Sequence, residues 1–244
     1  MNPYSRDGIG RRDFLKVAAG LAVGLGLAPG PLLSAEPPVK IGFVGTGRLG
    51  SLLAAHWVKA GHEVLLSSLD LAHDKALAAQ LGAKARAGTS KEAAAFGDVV
   101  IVSVPYSALP QVGKDVGDLL KGKVVIDTSN PVLARDGDVA KWARDKGAGI
   151  ASAELLPGAR LVRTLNAIGS NRLPEVAQRG GVAMPMAGDD AAAIAIASRL
   201  IKEIGLEPVV VGPLTMGRYL MPGTPLAGEH TPDEIRRIVA TLKP

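Results

Sequence analysis

Seven short aliphatic runs follow one another along the chain, separated by stretches rich in alanine and leucine. They read KIGFV at 40–44, EVLLS at 63–67, DVVIVSVP at 98–105, KVVID at 123–127, RLVRTL at 160–165, GVAMPMAG at 181–188 and LEPVVVG at 206–212. Apolar residues within most runs are continuous rather than alternating, the pattern of strands buried on both faces of a sheet. Residues 49–60, 74–81, 89–96, 173–179 and 191–204 read as helices, and a short strand is expected at 83–85. Strands that alternate with helices imply right-handed parallel crossovers. The expected class is therefore α/β, a doubly wound, mainly parallel sheet with helices on both faces. Aromatic residues are only 3% of the chain, so its core has to be built from Ala, Val, Leu and Ile.

Local signals agree with this plan. Thr89 or Ser90 caps a short helix, with Glu92 reaching back to complete a capping box. Pro110 suits the first turn of the next helix, and Thr231, Pro232 and Glu234 mark a last one near the C-terminus.

Directly after the first run stands Gly45-Thr46-Gly47-Arg48-Leu49-Gly50, a G-x-G-x-x-G spacing. Such a spacing alone is a weak signal; its place between a strand and an apolar helix gives it meaning. Gly45 permits the tight turn, Gly47 lets backbone approach a pyrophosphate, and Gly50 allows close helix–strand contact. The helix N-terminus then offers free N–H groups and partial positive charge to the anion. Residues 36–213 are thus expected to form a Rossmann-type dinucleotide-binding domain, and 214–244 a short C-terminal extension ending in a helix.

Arg11-Arg12-Asp13-Phe14-Leu15-Lys16 resembles the twin-arginine (Tat) export motif. Residues 17–35 carry no charge but are thinned by four glycines and broken by Pro29 and Pro31. A membrane-spanning helix needs about 20 strongly apolar residues. Leu33-Ser34-Ala35 offers a small residue for cleavage before Glu36. The resemblance implies that residues 1–35 are a signal peptide read by the Tat machinery, which carries folded, cofactor-loaded proteins. It implies a periplasmic or cell-envelope destination and no stable membrane span after cleavage, with retention as an anchor left open.

The formal net charge of +5 is scattered, and four of the basic residues (Arg6, Arg11, Arg12 and Lys16) lie in the N-terminal segment. With so few aromatics to stack bases, nucleic-acid binding has no support. The chain has no cysteine, which excludes disulfides, thiolate nucleophiles and cysteine-based metal sites. His56, His62, His73 and His230 stand without metal-ligand spacing, and His62 after Gly61 reads as a helix end. There is no G-x-S-x-G elbow and no matched carboxylate pair. Chemistry that needs no protein acid or base is the kind that cofactors carry. Asn166 and Arg218 are candidates to orient a small-molecule acceptor, and no catalytic residue is assigned.

The segments KIGFVGTGRLG, GHEVLLSS, DVVIVSVPYSAL, GKVVIDTSNP, LPGARLVRTLNAIGS, AGDDAAA and IGLEPVVVGPL occur in that order. As a series they resemble the F420-dependent NADP oxidoreductase family, whose fold is also similar to the cytosolic domain of the STEAP metalloreductases. The resemblance implies hydride transfer between NADP(H) and a flavin or deazaflavin such as F420. Thr46 and the loop of Gly45, Gly47, Arg48, Leu49 and Gly50 would hold the phosphates. Ser67 and Ser68 would face the adenosine ribose, and Val104, Pro105, Asn130 and Pro131 would flank the nicotinamide.

Two features depart from the family pattern. Leu69-Asp70 stands where an arginine for the 2′-phosphate is usual, so NADP is favoured and NAD stays open. MPGTPLAGEHTP, from 221, replaces the helix that normally continues there. Two other readings therefore remain beside the leading one. One is a reductase of a small imine, keto or hydroxy acid, resembling pyrroline-carboxylate reductase, with a homodimer partner completing its pocket. The other is a dinucleotide-binding protein without catalysis.

Overall fold

The computed structural model describes residues 37–243; the expected signal segment, residues 1–35, lies outside the described residues. Eight strands form one sheet: β1 (Lys40–Val44), β2 (Glu63–Ser67), β3 (Ala85–Ala87), β4 (Val99–Val102), β5 (Val124–Asp127), β6 (Arg160–Arg163), β7 (Ala183–Gly188) and β8 (Glu207–Gly212). Their order is β3-β2-β1-β4-β5-β6-β7-β8, and every neighbouring pair is parallel except β6–β7. The first six strands follow the 3-2-1-4-5-6 order of doubly wound dinucleotide-binding sheets, which reverses between β1 and β4.

Nine α-helices lie among the described residues: α1 (Arg48–Lys59), α2 (Leu71–Leu81), α3 (Ser90–Phe96), α4 (Leu109–Leu120), α5 (Leu133–Lys146), α6 (Ala148–Leu155), α7 (Leu173–Arg179), α8 (Ala191–Glu203) and α9 (Pro232–Val239). They cover both sheet faces because the strands are apolar on both. Ile41, Phe43, Val99, Ile101, Val124 and Ile126 point to the face packed by α1, α7 and α8. Their neighbours Val44, Val100, Val102 and Val125 point to the face packed by α3, α4 and α6. Trp57 adds a specific tie, donating its indole N–H to the Leu200 carbonyl at 2.9 Å and so joining α1 to α8.

Thr89 and Glu92 form the expected capping box at α3, as do Thr231 and Glu234 at α9. Four features differ from the sequence reading. α2 starts at Leu71, three residues early, because the Asp70 carboxylate accepts the His73 N–H at 3.0 Å and caps it. β3 lies at Ala85–Ala87, two residues late. α5 and α6 fill a stretch the sequence reading left without elements; Gly137, at φ 55°, kinks α5 and breaks its pattern. His62 does more than end a helix: it is buried, its Nδ1 accepts the Val39 N–H at 3.0 Å, and its Nε2 meets Glu203 at 2.7 Å.

The C-terminal residues fold back onto the far edge of the sheet. Met216, Leu220, Leu226 and Ile235 pack against Ala183, Ala187, Val209 and Val211 of β7 and β8. Among the described residues, no helix is long and apolar enough to cross a membrane.

Candidate functional site

A cleft runs across the carboxyl ends of the strands at the point where the strand order reverses, the place where sheets of this kind bind ligands. It has two halves of about 700 and 670 Å³, which share Gly47, Ser103, Val104 and Pro105. Both lie in the range of small-molecule sites.

The turn from β1 into α1 forms the junction. Gly45 has φ 103°, and a Cβ there would meet the Ser103 carbonyl oxygen at 2.2 Å, so only glycine lets β4 pass this close. A Cβ on Gly50 would strike the Gly45 carbonyl at 2.3 Å. Gly47 is different. Nothing lies within 4 Å of the position its Cβ would take, so its backbone faces open space at the start of α1. No side chain caps that helix, and its first turn holds no acidic residue. The N–H groups of the first turn are therefore available to an anion, and the macrodipole favours one. This fits a pyrophosphate on residue types and on space alike.

The first half of the cleft is walled by Thr46, Ser68, Leu69, Asp70 and His73. Thr46 and Ser68 each donate a hydroxyl to Asp74, which is fully buried in the first turn of α2. Leu69 is fully exposed at the rim. Ser67, by contrast, does not line the cleft: it is buried and donates to the Phe43 carbonyl at 2.6 Å, tying β2 to β1.

The second half is walled by Arg48, Leu49, Asn130, Arg135, Leu165 and Asn166, with Pro222, Gly223 and Gly228 opposite. The stretch that departs from the family pattern thus itself forms a wall of the cleft. The Gly228 N–H donates to the Ala167 carbonyl at 2.9 Å and holds that wall in place. Gly50 lies beneath the loop and Pro131 is buried behind Asn130, so neither lines the cleft. Arg218 is exposed elsewhere and donates to the Lys146 carbonyl, whereas Asn166 stands in the wall.

Beneath Asn130 lies a polar network that the sequence reading missed. Arg163 donates to Asp127 at 2.6 Å and to Asn130 Oδ1 at 3.2 Å. Asn166 donates to the same Asn130 oxygen at 2.9 Å, and Asn130 donates back to the Asn166 carbonyl at 2.8 Å. Ser152 donates to Asp127 at 2.7 Å and lies 3.0 Å from the Tyr106 hydroxyl. Burial, and then the nearby Asp127 carboxylate, push the Tyr106 phenol up to about 12, so it stays neutral. Leu165 sits at φ 58°, a left-handed conformation that costs a non-glycine residue of order 1–3 kcal/mol. That turn after β6 delivers Asn166 to the cleft.

Asp136 performs a second positioning task. Its carboxylate accepts from Ser107 N and Oγ, from Val132 N, and from Nε and Nη2 of Arg135. Arg135 also donates to the Asn130 carbonyl at 2.8 Å. The loops after β4 and β5 are thereby joined where they border the cleft.

Fold and cleft together define a Rossmann-type dinucleotide-binding protein, the scaffold of nicotinamide-dependent oxidoreductases. A family model described as "NADP oxidoreductase coenzyme F420-dependent" matches residues 40–131. The F420-dependent NADP reductase of Methanothermobacter marburgensis is 31% identical over 197 residues, covering 75% of this chain and 87% of that protein. The enzyme of the same name from Methanothermobacter thermautotrophicus is 29% identical over 202 residues, covering 77% and 87%. A solved structure of a hypothetical protein from Sinorhizobium meliloti superposes with a TM-score of 0.67 at 26% identity, covering 80% of this chain and 96% of the other. The chain belongs to the F420-dependent NADP oxidoreductase family and is an NADP-dependent oxidoreductase.

Proposed function

We propose that this protein transfers a hydride between NADP(H) and an F420-type deazaflavin or flavin, which the second half of the cleft would hold together. The observation that carries the reading is the open backbone of Gly47 at the uncapped start of α1. It lies between a half-cleft suited to adenosine and one bordered by Val104, Pro105 and Asn130. The residues supply placement. The α1 N-terminus would bind the pyrophosphate, Val104 and Pro105 would give the nicotinamide an apolar shelf, and the Arg163–Asn130–Asn166 network fixes the floor. The C-terminal wall at 222–228 limits water. NADP and F420 supply the redox chemistry, a hydride passed between ring carbons, so no protein base is required. Steady-state assays with NADPH and F420, a flavin, or small imino and keto acids test this. Turnover with F420 or a flavin is expected; turnover confined to the small acids would replace the reading.

Residues 1–35 would send the folded, loaded protein through the Tat route to the cell envelope, which reconciles an export signal with a cytosolic nucleotide. Exchanging Arg11 and Arg12 for lysine should retain the protein in the cytoplasm while leaving nucleotide binding intact. Envelope localisation of that variant would contradict the export reading.

A further inference from the structure

Asp74 lies fully buried directly behind the adenosine half of the cleft. Its two carboxylate oxygens take the hydroxyl protons of Thr46 and Ser68, the latter at 2.9 Å. The Ser68 hydroxyl oxygen also lies 3.2 Å from the Asp70 carbonyl oxygen, and it accepts the Asp70 N–H at 3.1 Å. Both hydroxyl protons therefore have acceptors inside the protein, which leaves oxygen lone pairs as what a ligand can meet, more openly at half-buried Ser68 than at Thr46, which is almost wholly buried. A ribose 2′-hydroxyl can donate to such lone pairs, whereas a 2′-phosphate brings only acceptors and negative charge.

The surrounding charges act in the same direction. Among the described residues, no arginine or lysine lines this half; Asp70 and Asp115 do. His73 also lines it, with Nε2 3.2 Å from the Thr46 carbonyl oxygen. Arg48 lines the other half.

We propose that Asp74 is a specificity-determining residue: by holding Thr46 and Ser68 as acceptors it weakens the grip on a 2′-phosphate and narrows the preference for NADPH over NADH. The proposal rests on the reading that places the adenosine ribose beside Ser68. Asp74 touches neither nucleotide and acts as a positioning residue through the two hydroxyls.

Replacing Asp74 by Asn tests it. The amide must donate to one hydroxyl oxygen, which frees that hydroxyl's proton for a phosphate oxygen, and the buried negative charge is gone. Calorimetric titration of wild type and Asp74→Asn with NADPH and NADH should show the NADPH-to-NADH affinity ratio rising about tenfold or more. General loosening of the loop would change both affinities alike, and an unchanged ratio overturns the proposal. Wild-type protein that binds neither nucleotide overturns the underlying cofactor reading as well. Should Asp74→Asn fail to fold, Ser68→Ala at a half-buried position gives the answer. A rise in the NADPH-to-NADH ratio supports a Ser68 oxygen that meets the 2′-position as an acceptor; an unchanged ratio, or a tenfold loss for NADPH alone showing that Ser68 serves the phosphate, overturns the proposal.

Discussion

Arg163 and Asp127, at the carboxyl ends of adjacent strands, meet at 2.6 Å with both side chains fully buried. The pair carries the floor of the cleft, because the other arm of Arg163 holds Asn130. Removing one partner of a buried pair strands the other charge, at a cost of about 3–5 kcal/mol. Arg163→Met should lose about that much in urea unfolding, and the Arg163→Met, Asp127→Asn double variant should lose clearly less than the two single variants summed. Additive losses would mean that the two groups do not depend on each other.

Gly47→Val should abolish dinucleotide binding while the fold keeps its stability to within about 1 kcal/mol. A Cβ at this position has no protein atom within 4 Å, and the valine side chain would enter the space the pyrophosphate needs. Calorimetry alongside thermal unfolding checks this. Unchanged affinity would remove the pyrophosphate from that loop.

Much of the fold is legible in the sequence, for identifiable reasons. β1, β4 and β5 are continuous aliphatic runs, and the turn of Gly45, Gly47 and Gly50 sits directly between a strand and a helix. α5 is not legible, because Gly137 interrupts a charged stretch, and α6 shows no apolar stripe, since it buries Ala148, Gly149, Ala151 and Ser152. The cleft was legible where one loop builds it and illegible where distant residues meet. Thr46 and Asp74 are 28 residues apart, and Arg163 and Asp127 are 36 apart. Asp74, Arg163 and Asp127 look in sequence like ordinary polar positions. The wall at 222–228 has no periodicity at all, and only the fold shows what it faces.

Acid should release the loop tie made by Asp136. Burial raises the pKa of this carboxyl, but the Arg135 guanidinium and the N–H groups of Val132 and Ser107 outweigh it and hold the pKa at about 2. A pKa depressed in the folded state gives stability that is fully present above the unfolded value of about 4 and is lost as pH falls toward 2. Asp136→Asn should therefore cost about 2 kcal/mol near neutral pH, with the gap from wild type narrowing below about pH 4. A gap independent of pH would show that the carboxylate charge is not what holds the loops.

Leu69 stands at the cleft rim with its side chain fully exposed. An arginine there can reach a 2′-phosphate without disturbing the core. Leu69→Arg should tighten NADPH by about tenfold or more and leave NADH unchanged, since a charge-assisted hydrogen bond contributes about 1.5–3 kcal/mol. Equal gains for both nucleotides would point to general attraction rather than contact with the phosphate.

Hydride transfer itself is tested most directly by isotope. NADPH carrying deuterium at nicotinamide C4 should be mixed with oxidised F420 and the protein, and the reduced product examined by mass spectrometry. Direct transfer between rings held in the second half of the cleft predicts that the deuterium appears on the deazaflavin ring, with none exchanged for solvent hydrogen. Reduced F420 without deuterium from both C4-labelled epimers, or no reduction of F420 while a small imino or keto acid is reduced, would contradict the account.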